Sequence, residues 1–271
     1  MAQPRLRAKT DANPVPLADA PSVKSAERTV RILETLAASP TKLTLAELQQ
    51  KMKYPRSSLH ALVRTLRELK WIEADASGSA FGVGPHALLS GTAYLDRDPA
   101  LPYAYEALED LRTETGHTTH YARRDGWMVL YLASRERRES VRLFSRVGRQ
   151  LPAYLTALGQ ALLAALTPEE VAEVLPNHLV AVTDNTITSH EKLAHELDIV
   201  RARGWAFERE QGTFGVACVA AAIDYRIPAT DAISCSMPVE TATDKEVHRV
   251  ATAVTARTQA LATTLRRAGI R

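Results

Sequence analysis

The chain lacks the features that would place it outside a reducing cell. Among its 271 residues are two cysteines, Cys218 and Cys235. These are too few for a disulfide framework, and they lack the CxxC or Cys/His spacing of a zinc site. A reducing cytoplasm is the natural compartment, and no metal or other cofactor is expected. No apolar run approaches the ~20 residues that cross a bilayer, so no membrane partner is expected. The opening stretch "MAQPRLRAKTDANPVPLADAP" has charge but no apolar segment of the kind a secretory signal needs. Residues 1–21 read as a proline-rich disordered tail. No internal repeat is present.

Against those absences, 45% hydrophobic and 24% charged residues make an ordinary folded protein, and the length suits two domains that each bury a core. The net charge of +3 is unevenly spread. Residues 1–90 hold 13 basic and 8 acidic side chains, and the remainder 21 and 23. Between Lys51 and Lys70 six basic residues face one acid, Glu68. Basicity this local is the footprint of a polyanion partner.

Periodicity divides the chain further. In "SVKSAERTVRILETLAASP" the spacing of Ala26, Val30, Leu33 and Ala37 predicts a first helix, with Pro40 just past its end. "TLAELQQKM" predicts a short second helix capped by Thr44 with Glu47 three residues on, and with Leu45, Leu48 and Met52 on one side. After "KYP", Leu59, Leu62, Val63, Leu66 and Leu69 share one sector of a third helix. "WIEADASGSAFGVG" then predicts two strands around the turn Ser77-Gly78-Ser79. Three helices and a hairpin make a winged helix-turn-helix over residues 22–84. "PHALLSGTAYL" predicts a linker helix within 85–98. Residues 99–271 follow as helices alternating with antiparallel hairpins, one of them turning at Asp125-Gly126. The segment "SVRLFSR" predicts a further strand, and a long helix from about Thr243 to Ala268 closes the chain.

The third helix carries the strongest chemical signal. In a helix-turn-helix the second helix enters the major groove with its first residues at the base edges, while flanking groups hold phosphates. Ser57, Ser58, His60 and Arg64 are suited to that contact, and Arg56, Arg67 and Lys70 to the backbone. Ser79, in the hairpin turn, is placed with them. A solvated helix face would ordinarily mix charge signs to gain i,i+4 pairs, and this one does not.

These stretches together resemble the IclR family of bacterial transcriptional regulators, from about Ser22 onward. In the first domain the likeness rests on "SVKSAERTVRILETLA", "LTLAELQ" and "YPRSSLHALVRTL". In the second it rests on "RVGRQLPAYLTALGQALLAAL" and "RGWAFEREQGTFGVACVAAAI", in the family's order. The resemblance implies an α+β chain in which the winged helix-turn-helix is joined by the linker helix to a GAF-like effector-binding domain. It also implies a homodimer, assembled mainly through the DNA-binding domains, or a homotetramer on an operator. The implied effector pocket comprises Tyr154, Ala157, Leu158, Glu208, Cys218, Ser234 and Ser236. Amides at a helix N-terminus attract a carboxylate, and serine hydroxyls suit a keto or hydroxyl oxygen, so an organic acid is the expected effector. Repression is the expected sign of regulation. The sequence departs from the family pattern in several places: Ala61 for a common arginine, Tyr154 for histidine, Gln160 for lysine, Ala222 for proline and Glu208 for aspartate. Leu158 and Tyr154 suggest room for an aromatic or larger acid.

The rival reading is a metabolic enzyme or small-molecule-binding protein without specific DNA binding. Its best nucleophile is Cys218, with His190, His195 or Glu208 as helper. No activating motif surrounds that cysteine, and among "VACVAA" it reads as a small buried hydrophobe. His117 and His120 should face opposite sides of a strand, and Cys235 should face away from Ser234 and Ser236. The run Arg135, Glu136, Arg137, Arg138, Glu139 reads as a solvated loop.

Overall fold

A computed structural model describes residues 23–137 and 147–271. The expected tail, the expected strand "SVRLFSR" and the pair Arg138 and Glu139 lie outside the described residues. The chain divides into two compact units, one ending at Ala93 and one running from Tyr94 to Arg271.

The first unit contains α1 (Lys24–Ala38), β1 (Leu43–Thr44), α2 (Leu45–Met52), α3 (Arg56–Glu68), β2 (Ile72–Ala74) and β3 (Ala80–Val83). Its core gathers Ile32, Leu36, Leu48, Leu59, Val63, Leu66, Ile72 and Phe81. Three details differ from the sequence reading. On α1 the buried line is Ile32 and Leu36, while Val30 is 52% exposed. The helix bears two apolar lines, and the one with the larger side chains at i,i+4 fills the core. Leu69, at the end of α3, is 55% exposed. The hairpin also gains a third strand, because β1 pairs with β3. Two residues are too short to show alternation. The start of α2 follows expectation: the Glu47 carboxylate accepts from the Thr44 amide at 2.7 Å, and the Glu47 amide donates to Thr44 Oγ1 at 3.3 Å.

Helix α4 (Pro85–Asp96) buries no residue, and Leu88 and Leu89 stand exposed. The second unit continues with α5 (Leu101–Thr115), β4 (Thr118–Asp125), β5 (Met128–Arg135) and β6 (Gln150–Pro152). After a single 3-10 turn (Ala153–Leu155) come α6 (Ala157–Ala164), α7 (Pro168–Val174), α8 (His190–Arg203), β7 (Ala206–Arg209), β8 (Val216–Ala222), β9 (Asp231–Pro238) and α9 (Asp244–Arg267). The strands form one antiparallel sheet in the order β6-β5-β4-β9-β8-β7. Among the described residues no helix is long and apolar enough to cross a membrane.

Alternation along β9 assigns the two faces. Ile233, Cys235 and Met237 pack with α5 and α9, through Leu108, Leu111, Val250, Val254 and Leu261. The opposite face meets α6 and α8 through Leu158, Leu162, Leu193 and Leu197. Arg135 ends β5, where it stacks on the Tyr105 ring at 4.6 Å, so it is not a loop residue. Asp231, at the head of β9, accepts from Arg123 Nε at 2.6 Å and Tyr121 OH at 2.6 Å, while Arg123 Nη1 reaches Asp98 Oδ2 at 2.5 Å. The start of α5 is thereby tied to two central strands.

A close approach sets the position of α6. A Cβ on Gly159 would lie 2.1 Å from the Ala153 carbonyl oxygen and 2.5 Å from its carbon. Backbone cannot yield that distance cheaply. Gly159→Ala is expected to cost about 3 kcal/mol, a fall of roughly 10 °C in melting temperature for a domain of this size. Thermal unfolding followed by circular dichroism checks this, and an unchanged midpoint would show that α6 sits elsewhere.

Candidate functional site

Helix α3 is anchored on one side and open on the other. Leu59, Val63 and Leu66 are buried, whereas Arg56, Ser57, His60, Ala61, Arg64 and Arg67 are exposed. Arg64 and Glu68 stand 3.9 Å apart with both side chains about two-thirds exposed, too open to neutralise the face. Ser58 is the exception in the expected set. It is half-buried and accepts from Arg28 Nη1 at 3.4 Å, and the Arg28 guanidinium lies 5.1 Å from the Tyr54 ring centre. Ser79 sits in the turn between β2 and β3, where Asp75 Oδ1 accepts from the Ser79 and Ala80 amides at 3.0 and 3.1 Å. Those bonds hold the Asp75 carboxyl below its usual range and stiffen the hairpin tip.

The second unit has a cavity of about 40 Å³ on the α6 face of the sheet. Its walls are Tyr131, Leu151, Thr156, Ala157, Leu158, Glu208, Val216, Cys218, Ser234 and Ser236. Strand register brings distant residues together: Glu208 stands opposite Cys218, Cys218 opposite Ser236, and Ser234 opposite Ala220. Cys218 Sγ lies 3.1 Å from Ser236 Oγ. Above this floor lies the start of α6. Thr156 caps it, accepting from the Gly159 amide at 3.0 Å, and the first intrahelical bond runs from the Gln160 amide to the Thr156 carbonyl. The amides of Ala157 and Leu158 come before that bond and have no partner within the helix.

Six of the seven expected effector residues line this cavity. Tyr154 does not: its hydroxyl donates to the Val180 carbonyl at 3.0 Å and accepts from the Val180 amide at 2.9 Å. Sequence reading did not find Tyr131, Leu151, Thr156 and Val216. Thr156 had a signal, since a threonine before "ALGQALLA" is a helix cap. The other three reach the cavity only through strand pairing, which leaves no local mark.

The cavity carries one carboxyl, and among the described residues lining it none is lysine, arginine or histidine. Glu208 is 4% exposed. Burial pushes its carboxyl up to about 7, against the opposing pull of bonds from the Gln211 and Gly212 amides and Cys218. The Gln211 amide donates at 2.9 Å, and Gln211 Oε1 in turn accepts from Gln160 Nε2 at 2.6 Å. Burial also pushes the Cys218 thiol well up, the reverse of what a nucleophile needs. His117 pairs with Glu246 of α9, while His120 packs edge-on to Tyr131, on the other face. No group of three or more metal-ligating side chains occurs among the described residues.

A winged helix-turn-helix followed in the chain by an α+β domain with a polar-floored cavity defines a class: one-component regulators that join a DNA reader to a small-molecule sensor. Comparison with known proteins narrows that class. The IclR helix-turn-helix domain model matches residues 25–76, and the model for the bacterial transcriptional regulator IclR C-terminal domain matches residues 92–263. The HTH-type transcriptional regulator BhcR of Paracoccus denitrificans is 32% identical over 238 residues, spanning 87% of this chain and 85% of its own. The transcriptional repressor IclR of Escherichia coli is 30% identical over 230 residues, spanning 83% and 84%. An IclR transcriptional regulator from Alicyclobacillus acidocaldarius shares the fold with a TM-score of 0.77 at 24% identity, over 89% of this chain and 98% of that one. The chain belongs to the IclR family and is a DNA-binding transcriptional regulator.

Glu208 also gives a pH signature. A carboxyl raised from 4.5 to about 7 stabilises the fold most below 4.5, and that contribution is lost as pH rises through 7. Glu208→Gln is therefore expected to be the more stable protein at pH 8, by up to about 3 kcal/mol, and to match the parent at pH 4.5. Urea unfolding at both pH values checks this. An equal difference at the two would contradict the buried carboxyl.

Proposed function

We propose that this chain is a cytoplasmic repressor that binds its operator as a dimer or tetramer and responds to a small organic acid. The observation that carries the DNA reading is the exposed basic face of α3, set at a fixed angle by Leu59, Val63 and Leu66. Residues 22–84 act as the DNA-binding domain, 85–98 as the linker and 99–271 as the effector domain. Ser57, His60 and Arg64 meet base edges in the major groove. Arg56 and Arg67 hold phosphates, and Ser79 on the hairpin tip reaches the flanking backbone. Ser58, already engaged by Arg28, contributes from the edge of this set. The exposed Leu88 and Leu89 of α4, together with Val30 of α1, supply apolar surface that a second copy would cover.

A gel shift on the protein's own upstream region tests this reading. Replacing Ser57, His60 and Arg64 together by alanine is expected to abolish preference over competitor DNA. Arg67→Ala is expected to weaken binding to all sequences and lower the log–log salt slope by about one unit. Equal affinity for all fragments, unmoved by the triple replacement, would refute it.

The effector reading rests on the cavity. The amides of Ala157 and Leu158 suit a carboxylate, while Ser234, Ser236 and Glu208 offer partners for a keto or hydroxyl oxygen. A cavity of about 40 Å³ is far below the roughly 150 Å³ that admits benzene. Pyruvate has as many heavy atoms as benzene, so even the smallest keto acids enter only as the walls give, and an aromatic acid requires a larger movement of Leu158. In a thermal-shift series, glyoxylate and pyruvate are expected to raise the melting temperature more than benzoate at equal concentration. Stabilisation by aromatic acids alone would refute the small-acid assignment.

A further inference from the structure

The effector cavity sets a problem in charge. An acid whose carboxylate meets the amides of Ala157 and Leu158 enters a small cavity that Glu208 also lines. Two carboxylates so confined cannot both be ionised, because their repulsion in a desolvated site exceeds what one helix N-terminus offsets. A cation in the walls would remove the difficulty, but among the described lining residues there is none. Gln160 brings only a neutral amide to the Gln211 that holds Glu208. The other groups acting on Glu208 do not neutralise it. Cys218 of β8 holds its proton, and Glu210 beyond β7 adds negative charge. Tyr131 of β5 is kept protonated by burial, and Arg149, before β6, acts on that phenol.

Resting on the cavity assignment above, we propose that Glu208 determines effector specificity: the site takes a monocarboxylic acid together with one proton from solvent, carried by Glu208, and rejects dicarboxylates. Protonated, Glu208 becomes a donor that hydrogen-bonds an oxygen of the acid, and its remaining oxygen keeps the Gln211 amide. Ionised, it repels the ligand. A second carboxylate on the ligand would find neither a second helix terminus nor a second proton carrier. The carboxyl titrates near 7 in the free protein, so the coupling falls within the physiological range. Below that pH the proton is already in place and affinity is flat. Above it, affinity falls by about tenfold per pH unit until the bound-state value is passed. A rise in cytoplasmic pH would then desensitise the regulator to its acid without any change in acid concentration.

Titration calorimetry of the full chain with pyruvate, in buffers of different ionisation enthalpy, counts the protons directly. Uptake is expected to be close to one per site at pH 8 and near zero at pH 5.5, with malonate, a dianion at pH 8, not binding at that pH. Glu208→Gln should bind pyruvate with an affinity that no longer depends on pH between 6 and 9. The proton count itself is read on the unaltered protein and stands whether or not the variant folds. Pyruvate binding at pH 8 without proton uptake, or malonate binding as tightly as pyruvate, overturns the proposal and leaves the cavity assignment intact. Absence of pyruvate binding even at pH 5.5 overturns the cavity assignment, and this proposal with it.

Discussion

What looks like a binding site in the second unit depends on how closely the first turn of α6 lies on the backbone before it. Gly159 rests against Ala153 at a distance that leaves no room for a side chain. That contact fixes the start of α6 against the turn before it, where Ala157 and Leu158 line the cavity together with residues of the sheet. Thr156 closes the turn by capping Gly159. Farther from the sheet, the same helix would leave a shallow surface where a small acid gains little over water. In place, it makes a site where every polar group counts, because desolvation strengthens each interaction and penalises each unmatched charge.

The two units handle charge in opposite ways. On α3 the cations are exposed and face solvent, which suits a polyanion met at the surface and a salt-dependent, fast association. In the cavity the ionisable group is a buried carboxyl with no cation among its described neighbours, which suits a site that answers to both acid and protons. Helix α4 lies between them in the chain, with no buried residue of its own. A helix held by so little intrinsic packing is a natural place for two arrangements to differ modestly in free energy, the condition a ligand needs in order to shift them.

Much of this was legible in the sequence wherever the signal was local. The Thr44/Glu47 cap, the leucine sector of α3, the Asp125-Gly126 hairpin and the final helix all follow from neighbours within a few residues. On α1 only Leu33 of the expected line packs against the core, because Ile32 and Leu36 satisfy the same spacing and periodicity cannot say which line is buried. Strand β1 gave no pattern at two residues. The cavity was legible only in part. Ala157, Leu158, Glu208, Cys218, Ser234 and Ser236 came from resemblance. Tyr131, Leu151 and Val216 arrive through long-range pairing, and Tyr154 turns to the Val180 backbone because its hydroxyl finds both a donor and an acceptor there.

In the proposed function the cavity and the DNA-reading helix are parts of one switch. This coupling is tested most directly by measuring operator affinity across a pyruvate titration at fixed salt and pH 6.5. If the acid binds the two arrangements unequally, operator affinity shifts by about fivefold or more and saturates at the acid's own binding constant. Saturating pyruvate that binds the protein yet leaves operator affinity unchanged would contradict the account.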